Sequence, residues 1–495
     1  MNILQSASDI EEFATTENGT GKRGTVPRVP PELVAQLPPS QLRRLLEGET
    51  PEPATQFRDA LLAKFECRLV HRPDLKVLTT STVDKGKPIL GWFFYKEAFA
   101  SALVERLVRD AELPPDAHVL DPFGGIGTVP FVCQELNTRA TAIDMSPLPV
   151  FIANAKLNAA RGDVSDELLA LAGKIERAML APSADRELPD VSIWAKAFDV
   201  QVAHGLFNAL EEIESLRASQ MYSASACNLS HLALLCVAEE VSYTVKDGTS
   251  LRLREPGRRL GRAGVKKSVQ DLTRRFSHQV QSMVLDIQSY RSGLLASAQQ
   301  PSVENVSHLG DARRLTEQLE RSSVDLVITS PPYPNRYDYS AIYALELLLG
   351  FVENRDQLRS LRFELFRSHL EAPWPTSIGN VNPAVGEILA CLYTSGMSSP
   401  RVFKMILGYF ADLEVTLREL LLVMKPNAVG HFVVGNVRIE GQEVPVDLIL
   451  AEIAETVGFK TEFISIARYK GTNSQQSKKF GAGKLRESIV SFRKA

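Results

Sequence analysis

Residues 117 to 136 read Ala-His-Val-Leu-Asp-Pro-Phe-Gly-Gly-Ile-Gly-Thr-Val-Pro-Phe-Val-Cys-Gln-Glu-Leu. A short apolar run stops at Asp121, three glycines make a turn, and an apolar helix pattern begins at Thr128. The next stretch, RATAIDMSPLPVFIANAKLN, repeats the rhythm with a strand ending in Asp144 and a helix after it. Strand, helix, strand, helix at this pace requires parallel βαβ units, because neighbouring parallel strands need a crossover and a helix is the usual one. The chain is therefore expected to be α/β, with a mostly parallel sheet.

The alternation is interrupted twice. Residues 1–57 are rich in Pro, Glu, Thr and Ser and read as a loosely ordered arm. Residues 58–154 hold the first part of the core, where Phe99, Leu103 and Leu107 recur at helical spacing ahead of the glycine turn. Residues 155–304 read as a mainly helical insertion. Inside it, residues 252–275 carry nine Arg or Lys against Glu255 and Asp271, a concentration that stands out in a chain of net charge −3. The core resumes over 305–350 with VDLVITSPPY and an expected helix YSAIYALELLLGF. A second insertion, 351–404, reads as irregular and polar. Residues 405–495 return to βαβ rhythm, with a turn at KPNA, a strand from Gly430 and a closing strand ESIVSFRK.

Several function classes are set aside by composition. The five cysteines (Cys67, Cys133, Cys227, Cys236, Cys391) are scattered and form no CxxC pair, which points to a reducing cytoplasm and to no zinc site. No run of about 18 apolar residues offers a membrane span, and the first residues lack the pattern of a signal peptide.

The glycine turn opens a helix N-terminus toward whatever sits above the strand end. A dinucleotide fingerprint needs GxGxxG or GxGxxA, and Gly125-Ile126-Gly127 is followed two residues later by Val129 and Pro130. The GxxxxGK[ST] phosphate loop is also missing. Asp144 ends the next strand, where a carboxylate accepts both hydrogens of a ribose diol. Asp311 precedes the strand that runs into Ser330-Pro331-Pro332-Tyr333. It reads either as a third acid on the same edge or as a helix cap for ARRLTEQL. A nucleoside without phosphates fits three such strand tips.

These motifs resemble those of the DNA amino-methyltransferases. DPFGGIGT is similar to their FxGxG cofactor motif, SPPY to their [DNS]PP[YFW] catalytic motif, and FFYKEAF to the segment that closes over the methionine end of S-adenosylmethionine. KLRESIVSFRK resembles their last strand. The resemblance covers about half of the chain, residues 89–154, 306–350 and 405–495. It implies a Rossmann-like S-adenosylmethionine-dependent methyltransferase fold, a mostly parallel twisted sheet with helices on both faces, carrying a large mainly helical insertion. It implies S-adenosylmethionine as cofactor, held across Asp121, Phe123, Gly125, Gly127 and Thr128. Asp144 would take the ribose, Asp311 the adenine amine, and Tyr95 and Lys96 the carboxylate end. Ser330 and the Pro331 carbonyl would accept the hydrogens of an exocyclic amine, with Pro332 stiffening the loop and Tyr333 stacking on a flipped base.

Ring-carbon methylation of cytosine uses a thiol on a Pro-Cys dipeptide in the related family, and no Pro-Cys occurs here. The target expected is an amino nitrogen, with the serine of SPPY leaning toward cytosine N4 over adenine N6. The large insertion precedes the catalytic motif. Its basic stretch nominates Arg258, Arg259, Lys266 and Lys267 for DNA phosphates, against a plain solvated face. Trp374, Asn380 and Asn382 in the second insertion read as base-edge readers or as surface loop residues. Asn335 and Asp338 either contact the flipped base or cap the next helix. The partners implied are double-stranded DNA and a cognate restriction endonuclease or other defence component, with no membrane and no metal. RNA amino-methylation, protein glutamine methylation and a DNA-binding subunit with a decayed site remain the competing readings.

Overall fold

The structure, a computed structural model, describes residues 55–95, 98–182, 192–247, 250–253, 267–297, 302–377, 381–394, 399–471, 481 and 483–495. Among these, eight strands form one sheet: β1 (Leu69–His71), β2 (His118–Asp121), β3 (Arg139–Asp144), β4 (Val306–Leu309), β5 (Val324–Thr329), β6 (Met424–Gly435), β7 (Phe459–Gly471) and β8 (Lys484–Lys494). Their spatial order is β4-β3-β2-β5-β6-β8-β7-β1, and every pairing is parallel except those made by β8. β2 is buried along its whole length, as a strand covered on both faces must be.

The longer helices are α1 (Gln56–Phe65), α2 (Ser101–Asp110), α3 (Thr128–Glu135), α4 (Pro147–Arg161), α5 (Ser165–Leu180), α6 (Val200–Ala218), α7 (Ala224–Ala238), α8 (Val269–Ser297), α9 (Arg355–Glu364), α10 (Pro383–Thr394), α11 (Pro400–Val423) and α12 (Val446–Val457); α5 to α8 pack on one another, and α7 and α8 also on α4. The insertion helices α5 to α8 share one apolar cluster with Ile126, Phe131 and Leu148, and with Tyr337 and Tyr343 beyond the catalytic motif. A second cluster joins α1, α10, α11 and α12 to Phe432 and Val490 of the sheet.

The chain leaves β2 for β3 and β4 on one side, then returns to lay β5 against the other side of β2. The loops after β2 and β5 therefore diverge from adjacent strand ends, and in an open parallel sheet a crevice forms at that point. Side chains lock the two strands together. Thr329 Oγ1 donates to Asp121 Oδ1 at 2.6 Å at the crevice end, and His118 N donates to Asp325 Oδ2 at 2.9 Å at the other.

Four local expectations need correction. The described residues of 352–404 hold three helical stretches, α9, α10 and the start of α11. Asn354 caps α9 by accepting from Asp356 N and Gln357 N, while the Pro, Ser and Gly between these helices hide their periodicity. YSAIYALELLLGF is two single turns, Tyr339–Ile342 and Ala344–Leu347, because Tyr343 leaves the helical region at φ −101°, ψ 22° and its ring stacks on Tyr95. KPNA lies within β6 as an irregularity opposite Val324–Leu326, with Asn427 at φ 65°. The helical insertion also carries an antiparallel hairpin, Thr244–Asp247 with Ser250–Leu253.

Candidate functional site

The loops after β2, β3 and β5 surround one open cleft, lined by Tyr95, Asp121, Phe123, Gly125, Thr128, Asp144, Ser330 and Pro332 among others, with about 850 Å³ of free space including its mouth. Eight residues nominated by sequence from four separate segments thus meet on one surface.

The glycine turn does this by two backbone positions. Gly127 caps α3 at φ +81°, and a Cβ there would lie 2.6 Å from Ala153 Cβ, so only glycine lets α3 pack on α4. Gly125 has φ +48°, and a Cβ there would stand 3.9 Å from the Tyr95 ring, inside the space between two cleft walls. Asp144 holds the turn in place. Its Oδ2 accepts from Gly125 N at 3.0 Å and its Oδ1 from Ser146 N at 2.9 Å. Asp121 Oδ1 accepts from Phe123 N at 3.1 Å as well as from Thr329. Burial pushes the Asp121 carboxyl up to about 7, with the Asp144 charge adding to it, and pushes Asp144 up to about 6 against its backbone hydrogen bonds. No Arg or Lys is among the described lining residues.

Ser330 follows the end of β5, its hydroxyl donating to Val433 O at 3.0 Å. A hydroxyl has one proton and two lone pairs, so this bond commits the donor and leaves Ser330 Oγ an acceptor. Pro331 is buried and Pro332 reaches the cleft. Tyr333 is half-buried beside the cleft and not on its lining; Gly435 gives its ring room, since a Cβ there would lie 3.0 Å from Tyr333 Cε2. Lys470 Nζ stands 5.9 Å from the centre of that ring. Burial raises the Tyr333 phenol, with Glu487 adding to it and the Ser330 hydroxyl acting the other way.

The remaining nominated residues sit elsewhere. Asp311 takes the cap alternative: its Oδ1 accepts from Arg313 N at 2.9 Å and its carboxylate pairs with the Arg313 guanidinium, while the next residue, Ala312, lines the cleft. Asn335 is exposed and its Oδ1 accepts from Tyr337 N at 3.1 Å, closing a turn. Asp338 caps the following turn through Ala341 N and pairs with Arg362 at 2.8 Å. Asn382 is a buried cap, accepting from Ala384 N at 2.9 Å, and half-buried Trp374 packs toward Phe403. Lys267 donates its backbone N–H to Tyr243 Oη at 3.1 Å. Lys96, Arg258, Arg259, Lys266 and Asn380 lie outside the described residues.

Sequence reasoning misses one wall of the cleft. Leu365, Phe366 and Ser368, from the stretch expected to be an irregular insertion, line it, and Phe366 meets Phe123 edge-on at 5.2 Å. Arg313 sets that wall. It binds Asp311, Asp412 Oδ2 at 3.0 Å and Glu364 O at 2.8 Å, and Asp412 also binds the Arg367 side chain. Ser146 lines the cleft as well, and its place two residues after Asp144, as an Asx turn requires, is the local signal for it.

No helix among the described residues is long and apolar enough to cross a membrane, and among them no group of His, Cys, Asp or Glu is arranged to hold a metal ion. The chain is similar to curated proteins over most of its length. It is 29% identical over 463 residues to the type II methyltransferase M.AvaI of Nostoc sp. and to the protein of that name from Anabaena variabilis, covering 89% of this chain and 94% of each relative. It is 28% identical over 457 residues to the type II methyltransferase M.BsoBI of Geobacillus stearothermophilus, covering 84% of this chain and 88% of that relative. No family model matches the chain.

Proposed function

We infer, from its membership of the DNA methyltransferase family, that this chain is a site-specific enzyme of restriction-modification. It transfers a methyl group from S-adenosylmethionine to the exocyclic amino group of a flipped base in double-stranded DNA, with cytosine N4 the favoured target. In this reading the fold is the Rossmann-like methyltransferase type, the enzyme works in the cytoplasm, and a cognate restriction endonuclease is its partner in defence.

The observation that carries the reading is that Ser330, its hydroxyl proton committed to Val433 O, shares one cleft with Gly125 and Asp144. The cleft suits S-adenosylmethionine by its own chemistry: a glycine turn that a Cβ would crowd, a strand-end carboxylate for a ribose diol, aromatic walls at Phe123 and Phe366, and two carboxyls without a described cation among the lining residues. When bound, S-adenosylmethionine supplies an electrophilic methyl on a sulfonium sulfur. An exocyclic amine is a poor nucleophile because its lone pair is delocalised into the ring. Ser330 Oγ and the Pro331 carbonyl accept its two hydrogens and draw the nitrogen toward sp³ geometry, which localises the lone pair. Two prolines fix the carbonyl beforehand, so little ordering remains to be done at reaction. Tyr333 offers its ring to the flipped base, a stacking contact worth roughly 1–3 kcal/mol.

The carboxyls give this reading a pH signature. With Asp144 at about 6 and Asp121 at about 7, the protein without ligand is half protonated at Asp121 near pH 7 and carries a proton on Asp144 mainly below about 6. A cation favours the ionised forms, so its binding expels those protons. Affinity for S-adenosylmethionine will rise as pH increases from about 5 to about 8 and level off once both groups are ionised. S-adenosylhomocysteine, which lacks the sulfonium charge, will show a shallower rise. Calorimetric titrations across that range check it; equal slopes for the two ligands contradict it.

DNA contact is assigned to the basic stretch of the first insertion. Neutralising Arg258, Arg259, Lys266 and Lys267 will weaken DNA binding and flatten its dependence on salt, by about 0.9 in log–log slope for each phosphate that no longer meets a cation. An unchanged slope places the DNA interface elsewhere.

The reaction itself is tested with methyl-labelled S-adenosylmethionine and, in parallel, mixed-sequence duplex DNA, RNA and protein. Label entering DNA is expected. Label entering RNA or protein alone overturns the substrate, and absence of saturable cofactor binding returns the decayed-subunit reading.

A further inference from the structure

A half-buried charge with no part in the chemistry above lies one ring behind the cleft wall. Lys246, on the Thr244–Asp247 strand of the insertion hairpin, places Nζ 2.5 Å from Glu346 Oε1 and 3.1 Å from Glu239 Oε2. The same Nζ stands 4.4 Å from the centre of the Tyr343 ring. Tyr343 stacks on Tyr95 at 4.9 Å with 15° between the planes, and Tyr95 is the wall that faces Gly125. An ammonium held by two carboxylates thus fixes one ring, and that ring fixes a second that bounds the cofactor cleft.

The arrangement carries a desolvation penalty. The Glu346 side chain is 1% exposed and its Oε2 has no hydrogen-bond partner. Burying an ion pair of this kind contributes little to stability, and apolar residues of the same volume pack at lower cost. What the charges do provide is direction. An ammonium over a ring face orients the ring, and aromatic stacking passes that orientation to the next. The break between the two turns, Tyr339–Ile342 and Ala344–Leu347, is what lets Tyr343 leave the helix and enter this stack.

We propose that Lys246 is a positioning residue: through Tyr343 it sets Tyr95 at the width and angle the cofactor requires, so that a hairpin of the helical insertion governs cofactor affinity. The proposal rests on the reading that the cleft takes S-adenosylmethionine. It concerns cofactor affinity, and Lys246 itself is not among the cleft's lining residues.

The test measures S-adenosylmethionine Kd, KM and kcat, duplex DNA affinity and Tm for the full chain. In Lys246→Met, cofactor Kd and KM are expected to rise roughly tenfold, with kcat at saturating cofactor and DNA affinity within about twofold of the unaltered protein. Lys246→Arg, which keeps a cation over the ring and a partner for Glu346, restores the affinity. Because Lys246→Met leaves Glu346 unpaired and could fail to fold, the pair Lys246→Met with Glu346→Gln is made as well. It removes the Lys246 and Glu346 charges, leaves the partly exposed Glu239 carboxylate to solvent, and is expected to show the same Kd with Tm near the starting value. Adding Tyr343→Leu to it is expected to cost little more, since both changes cut one relay. Unchanged cofactor affinity in the folded double variant overturns the proposal. So does an equal loss of cofactor and DNA affinity that follows a fall in Tm, which marks a merely structural pair. If the unaltered protein shows no saturable cofactor binding, it is the functional reading that fails.

Discussion

Ser330→Ala is expected to lower methyl transfer by roughly 100-fold or more while S-adenosylmethionine binding stays near its starting value. The reason lies in which oxygen function is removed. Ser330 Oγ commits its proton to Val433 O at 3.0 Å, so what it offers the substrate is a lone pair. The amine's lone pair is delocalised in the ground state and becomes localised only as its hydrogens are drawn into the acceptors. That interaction strengthens toward the transition state, so its loss falls on kcat and spares ground-state affinity. The substitution also leaves Val433 O without its donor, at a cost of about 1–3 kcal/mol in stability, which a melting curve measures separately. Rapid-quench single-turnover kinetics with saturating cofactor and DNA check the chemical step. Equal losses of cofactor affinity and rate would make Ser330 a support of the loop.

Asp144→Ala is expected to weaken S-adenosylmethionine binding by roughly 100-fold, the scale of losing two hydrogen bonds to a charged group at about 1.5 kcal/mol each. The carboxylate acts inward and outward together. Inward, it accepts from Gly125 N at 3.0 Å and Ser146 N at 2.9 Å, holding the turn whose left-handed Gly125 keeps the cleft open. Outward, in the proposed reading, it is the acceptor for a ribose diol at the tip of β3. Asp144→Asn separates the two: its amide oxygen still accepts one backbone bond, while the charge that favours a cation is gone. It is expected to fall between the parent and Asp144→Ala and to lose the Asp144 part of the rise of affinity with pH, while the part that Asp121 contributes near 7 remains. Isothermal calorimetry gives both numbers. An Asn variant as weak as the Ala variant would mean that charge alone matters, and an Ala variant that binds normally would remove Asp144 from the site.

The parts of this site that lie within one βαβ unit are legible from local pattern. Gly127 falls at a helix start and Asp144 at a strand end because short-range periodicity fixes both, and the structure puts them where that pattern requires. The parallel sheet follows from the same rhythm. What local pattern cannot supply is pairing between distant segments. Phe366 reaches the cleft because Arg313 binds Glu364 O and Asp412, and Asp412 in turn holds Arg367; no residue pattern around Phe366 announces that. Asp311 is ambiguous between ligand and cap in the sequence, and the deciding partner, Arg313, lies two residues away. Tyr343 has neighbours with helical spacing, and propensity alone places it inside one helix. The stack on Tyr95 overrides that propensity, since two large rings packed together outweigh a fraction of a kcal/mol per residue in helix preference.

The stack also explains why the mainly helical insertion need not be a separate attachment. Its hairpin supplies Lys246 and its helices share an apolar cluster with the loop beyond Tyr333. Basic residues that meet DNA from this insertion would therefore sit on an element already packed against the chemistry.

In the proposed reaction a serine acceptor and a proline-fixed carbonyl activate an exocyclic amine. Digestion of DNA from cells that express the protein, followed by mass spectrometry of the nucleosides and base-resolution mapping, tests it directly. N4-methylcytosine at one recurring sequence is the expected result. 5-methylcytosine as the product would contradict it, because a ring carbon has no amine hydrogens for Ser330 and Pro331 to draw.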